Sequence, residues 1–494
     1  MCMTSLGSLL QGIVDVPSVF DVTIHGLRTD SRRVVGGDAF LALPGAQTAA
    51  DRYVDDAIDA GAIVIILDSE TSAPCYEYRS ALVVPVPALR KRLGQIADRF
   101  YEHPSRRLRV IGVTGTNGKT SVTSFISQLL AGAGLPCGVL GTLGYGMPGE
   151  LSEATHTTPD VVSVNRALFE MARKGARAVA MEVSSHALDQ GRIDGVAMIG
   201  AVFTNLTRDH LDYHGTMDAY GQAKASLFTR EGLHFSVINF DDPFGRQLFE
   251  QTEGLCDRVR YSLHESQTEL WLTRFAPGPD GFEADVDGQW GAFTLSAPLM
   301  GSFNASNLLA AVAAVLNLGV SVEQVQQAVS GLTPPPGRLE SFSGPDGVRV
   351  VVDYAHTTDA LANALSALRP HTDGQLICVF GCGGDRDKGK RPEMAREAEK
   401  GADHLIITDD NPRTESPESI VKDMLAGLAN ADAARVIHDR GDAIHTAVDM
   451  ARPGDLVLIA GKGHEAWQER NGKRTPFSDV AHAQEALGLN GGVA

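Results

Sequence analysis

Short runs of consecutive apolar residues recur along this chain, each ending in glycine or polar positions. Val110-Ile111-Gly112-Val113-Thr114, Ala178-Val179-Ala180-Met181-Glu182-Val183 and Gly200-Ala201-Val202-Phe203-Thr204 are such runs. They are short for helices and lack the alternation of a half-solvated strand, so they predict strands buried on both faces. Leu89, Leu93, Ile96, Ala97 and Phe100 instead recur at helical spacing. Nearer the N-terminus, residues 39–43 and 62–67 read as strands, with helix-compatible residues 55–60 between them. In the last third, residues 348–353, 376–380, 404–408, 435–438 and 456–460 read as strands separated by helix-compatible stretches. That alternation predicts an open α/β unit with a largely parallel sheet.

Two breakers divide the pattern. Val84-Pro85-Val86-Pro87 reads as a linker, because proline resists both helix and central strand, and Thr333-Pro334-Pro335-Pro336-Gly337 is a second interruption. The division predicts three domains, 1–87, 88–337 and 338–494, and a length of 494 residues suits that number. In open parallel sheets ligands bind beyond the carboxyl ends of the strands. The polar motifs fall just after strands, so they are expected to face one cleft between domains.

Composition works mainly by exclusion. A net charge of −18 argues against general binding to nucleic acid or anionic membranes. There is no basic segment followed by an apolar core at the N-terminus, and no apolar run long enough to span a bilayer. The six cysteines, Cys2, Cys75, Cys137, Cys256, Cys378 and Cys382, contain no C-x-x-C pair. Neither a zinc site nor a disulfide framework is indicated, and a reducing cytoplasm fits.

The sharpest chemical signal is Gly115-Thr116-Asn117-Gly118-Lys119-Thr120, between the strand ending at Thr114 and a helix-compatible stretch from Ser121. Glycines let backbone N–H groups approach phosphates, the helix start favours an anion, lysine adds charge, and the threonine hydroxyl can hold Mg²⁺. Val113 stands where the strict pattern has glycine, so this is a variant phosphate loop.

Other stretches carry ligand-type side chains. Glu182-Val183-Ser184-Ser185-His186 places a carboxylate late in an apolar strand, where it suits a cation or simply meets solvent. Asn205 to Gly215 packs Asp209, His210, Asp212 and His214 together, a density that favours a site over ordinary surface. Tyr220, Lys224 and Phe228 share one helical face, which either covers the lysine stem or sets a special lysine. Asn304 and Asn307 lie at a helix start and suit either a nucleotide or plain capping. After the late strands come Asp353-Tyr354-Ala355-His356, Gly381 to Pro392 with Arg386, Asp409-Asp410-Asn411-Pro412-Arg413, and Gly461-Lys462-Gly463-His464-Glu465. Arg386 and Arg413 offer planar forks for carboxylates, while Asp410 and Glu465 can bind an ammonium. Together they suit a zwitterionic, amino-acid-like ligand; singly, each could be turn chemistry.

These stretches, with Pro336-Gly337-Arg338-Leu339-Glu340, stand in the order seen in the Mur ligases, and the chain resembles that family over nearly its whole length. The resemblance implies an N-terminal α/β domain for a UDP group, a central phosphate-loop ATPase-like domain and a C-terminal Rossmann-like domain. It implies an ATP-dependent amide ligase of peptidoglycan precursor synthesis. That enzyme would add meso-2,6-diaminopimelate to UDP-N-acetylmuramoyl-L-alanyl-D-glutamate through an acyl phosphate. Gly115, Thr116, Asn117, Gly118, Lys119, Thr120 and Ser121 would bind ATP, with Asn304, Asn307, Arg338 and Asp353. Lys119, Glu182, His210 and Lys224 would be catalytic; Thr120, Glu182, His210 and Lys224 would serve Mg²⁺, Lys224 as a carbamate.

Thr29, Ser31, Ala46, Gln47 and Thr48 would meet the UDP end, and His156, Thr157, Thr158, Ser184, Gln190 and Arg192 the muramoyl-dipeptide. Arg386, Asp410, Asn411, Pro412, Arg413, Gly461 and Glu465 would hold diaminopimelate, the arginines at its distal carboxylate. Lysine-adding relatives usually lack the second arginine. His156 replaces an asparagine common in relatives, and Thr358 a proline. A monomer acting on small molecules is expected. The competing readings are a lysine-adding homologue, a folylpolyglutamate synthetase, and a phosphate-loop switch or motor protein.

Overall fold

The computed structural model describes residues 3–44, 50–71, 73–154 and 156–489, so the substrate contacts expected at Ala46, Gln47 and Thr48 lie outside the described residues. The chain forms two compact units: residues 1–260 with 313–318, and residues 261–312 with 319–494.

The first unit contains two main sheets. The N-terminal one runs Gly26–Arg28, Asp38–Ala42, Val64–Ser69, Ala81–Pro87, Tyr76–Tyr78, parallel except for the last strand. The expected linker at 84–87 is therefore a correction: these residues continue a buried strand, with Pro85 and Pro87 opposite Leu67 and Ser69. The antiparallel neighbour pairs only as far as Val83, and Leu82 donates to Ile63 on the other side. Donors alternate sides along a strand, so the prolines lack N–H groups only on the side where no partner remains. The helix Leu89–Phe100 follows directly, and all five of its expected apolar positions are buried.

The second sheet of this unit has Cys137–Gly141, Ala178–Glu182, Arg109–Thr114, Gly200–Phe203 and Phe235–Asn239 in parallel order. The phosphate-loop strand is central. Its register sets Glu182 beside Val113 and Phe203 beside Thr114, so three chemistry-bearing loops leave from one end of neighbouring strands.

In the second unit, Leu270–Gly278, Gly281–Gly288 and Phe293–Ala297 form an antiparallel meander. A six-stranded sheet follows in the order Glu340–Ser343, Arg349–Asp353, Leu456–Ala460, Leu376–Phe380, His404–Ile407, Ala434–Val436, parallel apart from its first strand. Its central strands, Arg349–Asp353, Leu456–Ala460 and Leu376–Phe380, are buried on both faces, as their unbroken apolar runs predict. Val351, Cys378, Phe380, Ile407 and Leu458 enter one core; Val350, Ile377, Val379, Ile406 and Val457 enter the other. Buried Cys378 and Cys382 are free thiols pushed up to about 12 by burial, consistent with apolar packing.

Two buried arginines tie the carboxyl ends of these strands to the helices. Arg440 makes a paired contact with Asp479 at 2.7 and 2.8 Å and donates to the Ala460 carbonyl at 2.9 Å. Arg391 reaches Glu415 at 2.9 and 3.2 Å, Asp423 at 2.9 Å and the Gly383 carbonyl at 3.2 Å. Glu415 also accepts from the Asp385 N–H at 2.6 Å. The loops carrying Arg386 and Arg413 are thus laced together.

The Arg391 guanidinium holds the Glu415 carboxyl down at about 2. The stabilisation it gives is complete above the ordinary value of 4.5 and is lost as pH falls from 4.5 toward 2. Glu415→Gln is expected to lower stability at pH 7 by roughly 3 kcal/mol, since it leaves a buried guanidinium under-compensated. Chemical denaturation at several pH values should show that gap closing between pH 4.5 and 2.

Candidate active site

The strand Arg109–Thr114 ends in the phosphate loop, and the helix Lys119–Gly132 starts immediately after Gly118. Gly115 has φ +152°, and a Cβ there would sit 1.9 Å from Thr204 Oγ1. Only glycine allows this approach. The loop is clamped by the segment after the neighbouring strand. Thr116 N–H donates to the Asn205 carbonyl at 2.8 Å, Asn117 N–H to Asn205 Oδ1 at 2.9 Å, and Thr204 Oγ1 to the Asn117 carbonyl at 2.6 Å. Val113, by contrast, is fully buried in the strand. The glycine of the stricter pattern is here a core position.

Lys119 and Lys224 converge on one oxygen. Lys119 Nζ donates to the Gly115 and Thr116 carbonyls, both at 2.9 Å, and Lys224 Nζ donates to Gly115 O at 2.8 Å. Lys224 is buried, with its Nζ 4.4 Å from the centre of the Tyr220 ring. Burial, reinforced by the Lys119 charge, lowers its amine to about 6. The expected face of Tyr220, Lys224 and Phe228 is buried throughout, although Phe228 lies past the helix end at Ala225.

Glu182 is 1% exposed, and among the described residues its two oxygens accept only from Thr142, from N–H at 2.9 Å and Oγ1 at 3.1 Å. A buried carboxylate with no basic side chain bonded to it is costly unless a cation arrives. Around it runs a polar chain of the residues expected at the dipeptide. Thr157 Oγ1 meets Thr142 Oγ1 at 3.1 Å, and Thr158 Oγ1 donates to the Glu182 carbonyl at 2.8 Å while accepting from Ser184 N–H at 3.1 Å. Arg192 donates to the Thr158 carbonyl at 2.9 Å and to Gln190 Oε1 at 2.6 and 2.9 Å. Gln190 donates to Tyr213, whose hydroxyl donates to Asp189. His186 packs on the rings of His210, Tyr213 and His214, and burial lowers both His186 and His214. His210 itself is half exposed, with φ +52° and Asp209 at 3.5 Å. His156 is exposed. Thr29 follows the first strand of the N-terminal sheet, Gly26–Arg28, and Ser31 opens the short 3-10 helix Ser31–Arg33.

In the second unit, Asn304 and Asn307 are buried at the start of the helix Ser302–Asn317 and bonded to each other at 3.2 Å. The Asp353 carboxylate accepts from Leu339 N–H at 2.8 Å and Ala355 N–H at 2.9 Å. Burial nevertheless raises it to about 6. Arg338 lies over the Tyr354 ring at 5.1 Å. The departure at Thr358 falls on the first residue of the helix Thr358–Leu368, where proline is favourable but not required.

The amine-site residues gather at the ends of three neighbouring strands. Arg413 has φ +53° and donates to the Gly384 carbonyl at 2.7 Å, while Arg386 is exposed on the adjacent loop. Thr414 bonds Asp385 between them, at 2.8 Å. Gly384 N–H donates to the Asn411 carbonyl at 2.9 Å, and the Pro412 carbonyl would block any Cβ at Gly384. A Cβ at Gly461, φ +120°, would lie 2.7 Å from Asp410 Oδ2. Glu465 Oε2 accepts from Asn411 Nδ2 at 3.0 Å and Lys462 Nζ at 3.1 Å. The Asp410 carboxylate is buried and accepts no hydrogen bond among the described residues.

Thr142, Tyr213, Arg391, Glu415 and Lys462 escaped the sequence reading. The last had a usable signal: a lysine between two glycines right after the buried strand Leu456–Ala460.

Family comparisons agree with this arrangement. Residues 23–101 match the Mur ligase family catalytic domain, 113–315 the Mur ligase middle domain, and 337–463 the Mur ligase glutamate ligase domain. The chain belongs to the Mur ligase family, and it is a ligase. It is 48% identical over 466 residues to UDP-N-acetylmuramoyl-L-alanyl-D-glutamate--2,6-diaminopimelate ligase of Ectopseudomonas mendocina, covering 94% of this chain and 95% of that one. The enzyme of the same name from Coxiella burnetii is 45% identical over 471 residues, covering 94% and 96%. A solved structure of an enzyme with that name superimposes with a TM-score of 0.76 at 36% identity, over 99% of this chain and 100% of the other.

Gly115→Ala should abolish nucleotide binding while the protein stays folded, because a methyl group there displaces Thr204 and the clamp on Asn117. Calorimetric titration with ATP, at least ~100-fold weaker than wild type, checks it.

Proposed function

We propose that this protein is an ATP-dependent amide ligase that joins meso-2,6-diaminopimelate to the D-glutamyl carboxylate of UDP-N-acetylmuramoyl-L-alanyl-D-glutamate. ADP and phosphate are released, and the product extends the peptide of a peptidoglycan precursor. One observation carries the reading. A phosphate loop, an amino-acid-like cradle with two arginines and two carboxylates, and close relatives named for this reaction occur in one chain. A switch or motor protein has no use for such a cradle.

Lys119, now bonded to its own loop, would turn to the phosphates of ATP and neutralise charge as the γ-phosphoryl group moves to the carboxylate oxygen. The amine then attacks the acyl carbon, and phosphate leaves with that oxygen. Asn304, Asn307, Arg338 and Asp353 would hold the rest of the nucleotide. Thr157, Thr158, Ser184, Gln190 and Arg192, already in one polar chain, would orient the dipeptide, with His156 beside them. Catalysis is chiefly positioning and charge neutralisation.

The residues fit Mg²⁺. Glu182 is a buried carboxylate bonded to no cationic side chain among the described residues, Thr120 supplies a hydroxyl at the helix start, and His210 an exposed imidazole. Mg²⁺ supplies charge neutralisation at the phosphates when bound. Lys224 fits as a carbamate, because carbon dioxide adds to a neutral amine and this amine is lowered to about 6. The carbamate is an oxygen ligand where the free amine is not.

Three separate family matches support three parts, read here as 1–87 for the UDP group, 88–337 for ATP and 338–494 for the amino acid, although the first match runs on to residue 101. Among the described residues no helix is long and apolar enough to cross a membrane. We take the enzyme to act in the cytoplasm as a monomer on small-molecule substrates, without nucleic acid.

The test is a purified-enzyme assay for the UDP-tripeptide with ATP and a panel of diamino acids. Product is expected with meso-diaminopimelate and little with L-lysine. Arg413→Ala should reduce kcat/KM for diaminopimelate by ~100-fold or more, as expected for loss of a charged, hydrogen-bonded contact. An unimpaired variant removes the specificity argument.

A further inference from the structure

We infer that Lys462 is a positioning residue for the ammonium-binding side of the amino-acid cradle; this rests on the diaminopimelate reading above. Lys462 is completely buried, with its Nζ 5.5 Å from the centre of the Trp467 ring. A wholly buried lysine is rare, because its charge must be paired and hydrogen-bonded to offset the desolvation. The bonds that do so show what the ammonium arranges.

It arranges two residues of the cradle at once. Nζ donates to Asn411 Oδ1 at 3.0 Å and to Glu465 Oε2 at 3.1 Å. Asn411 Oδ1 also accepts from the Glu469 N–H at 2.9 Å. Two donors on that oxygen fix which end of the amide is which, a choice geometry alone leaves open. Asn411 Nδ2 is then bound to face Glu465, and it donates to Oε2 at 3.0 Å. Both donors fall on Oε2, which leaves Glu465 Oε1 as the oxygen offered to a ligand. Asp410, buried and accepting no hydrogen bond among the described residues, supplies a second anionic group in the same loop as Asn411.

The charges count in the same direction. On the ammonium-binding side alone, leaving aside Arg386 and Arg413 and the Arg440 already paired with Asp479, Asp410 and Glu465 bring two negative charges and Lys462 one positive. That side keeps one unit of negative charge, which an amino-acid ammonium neutralises. Lys462 keeps the site attractive to one cation while holding its ligands still.

Lys462→Met separates orientation from simple attraction. If Lys462 acted only as a charge, removing it would make the cradle more negative and lower the KM for diaminopimelate. Positioning predicts the reverse: KM for meso-diaminopimelate rises about 10- to 100-fold. KM for ATP and for the UDP-dipeptide stay unchanged, even where the lost ion pair lowers the melting temperature. Lys462→Gln, which keeps a donor, should recover part of the loss. In a double-mutant cycle with Glu465→Gln, the second substitution should cost much less than it does alone. An unchanged or lowered diaminopimelate KM, additive effects, or a parallel fall in every kinetic parameter with stability would overturn the inference. So would an insoluble Lys462→Met beside a Lys462→Gln with wild-type diaminopimelate KM. Failure of the wild-type enzyme to use diaminopimelate is a different result, and it sinks the functional reading instead.

Discussion

Two lysine side chains share the carbonyl oxygen of Gly115, and the central site depends on that contact. The carbonyl is available because Gly115 lacks a Cβ and lies against Thr204, on the segment after the next strand. The same approach lets Thr204 and Asn205 grip Asn117. One glycine thus couples the phosphate loop to the histidine-rich segment that follows Asn205. It also brings Lys119 near enough to Lys224 to help keep the second amine neutral. A neutral, buried amine beside a cationic one is a poor stabiliser and a good reagent.

A second theme is the cost of leaving carboxylates buried without a cation. Among the described residues, Glu182 is satisfied only by Thr142 and the Asp410 carboxylate accepts no hydrogen bond. Elsewhere the fold pairs such groups fully: Asp479 with Arg440, Glu415 with Arg391. The contrast within one protein separates structural charges from functional ones. Buried acids that complete a pair hold loops in place. Those that complete none carry the desolvation cost without a partner, and the cation proposed for each would offset it.

Much of this was legible in the sequence because parallel strands buried on both faces read as unbroken apolar runs. Arg349–Asp353, Leu376–Phe380 and Leu456–Ala460 fell within a residue of expectation. The meander from Leu270 to Ala297 did not, since its strands alternate exposure and mix polar residues freely. Pro85 and Pro87 misled for a specific reason: whether a strand tolerates proline depends on which neighbour has ended, and that is tertiary information. The site divides in the same way. Residues expected to meet ligands stand mostly in recognisable motifs after strands. Thr142, Arg391 and Glu415 bond across loops far apart in sequence, and no local pattern announces them; Lys462 had only its place between two glycines.

The central claim is that the phosphate loop serves to activate a carboxylate and not merely to hydrolyse a nucleotide. Positional isotope transfer tests it most directly. The D-glutamyl carboxylate of the UDP-dipeptide is labelled with ¹⁸O, and the phosphate released during turnover with diaminopimelate is examined by mass spectrometry. An acyl phosphate requires one labelled oxygen in each phosphate released, in step with tripeptide formation. Unlabelled phosphate alongside tripeptide would contradict the account.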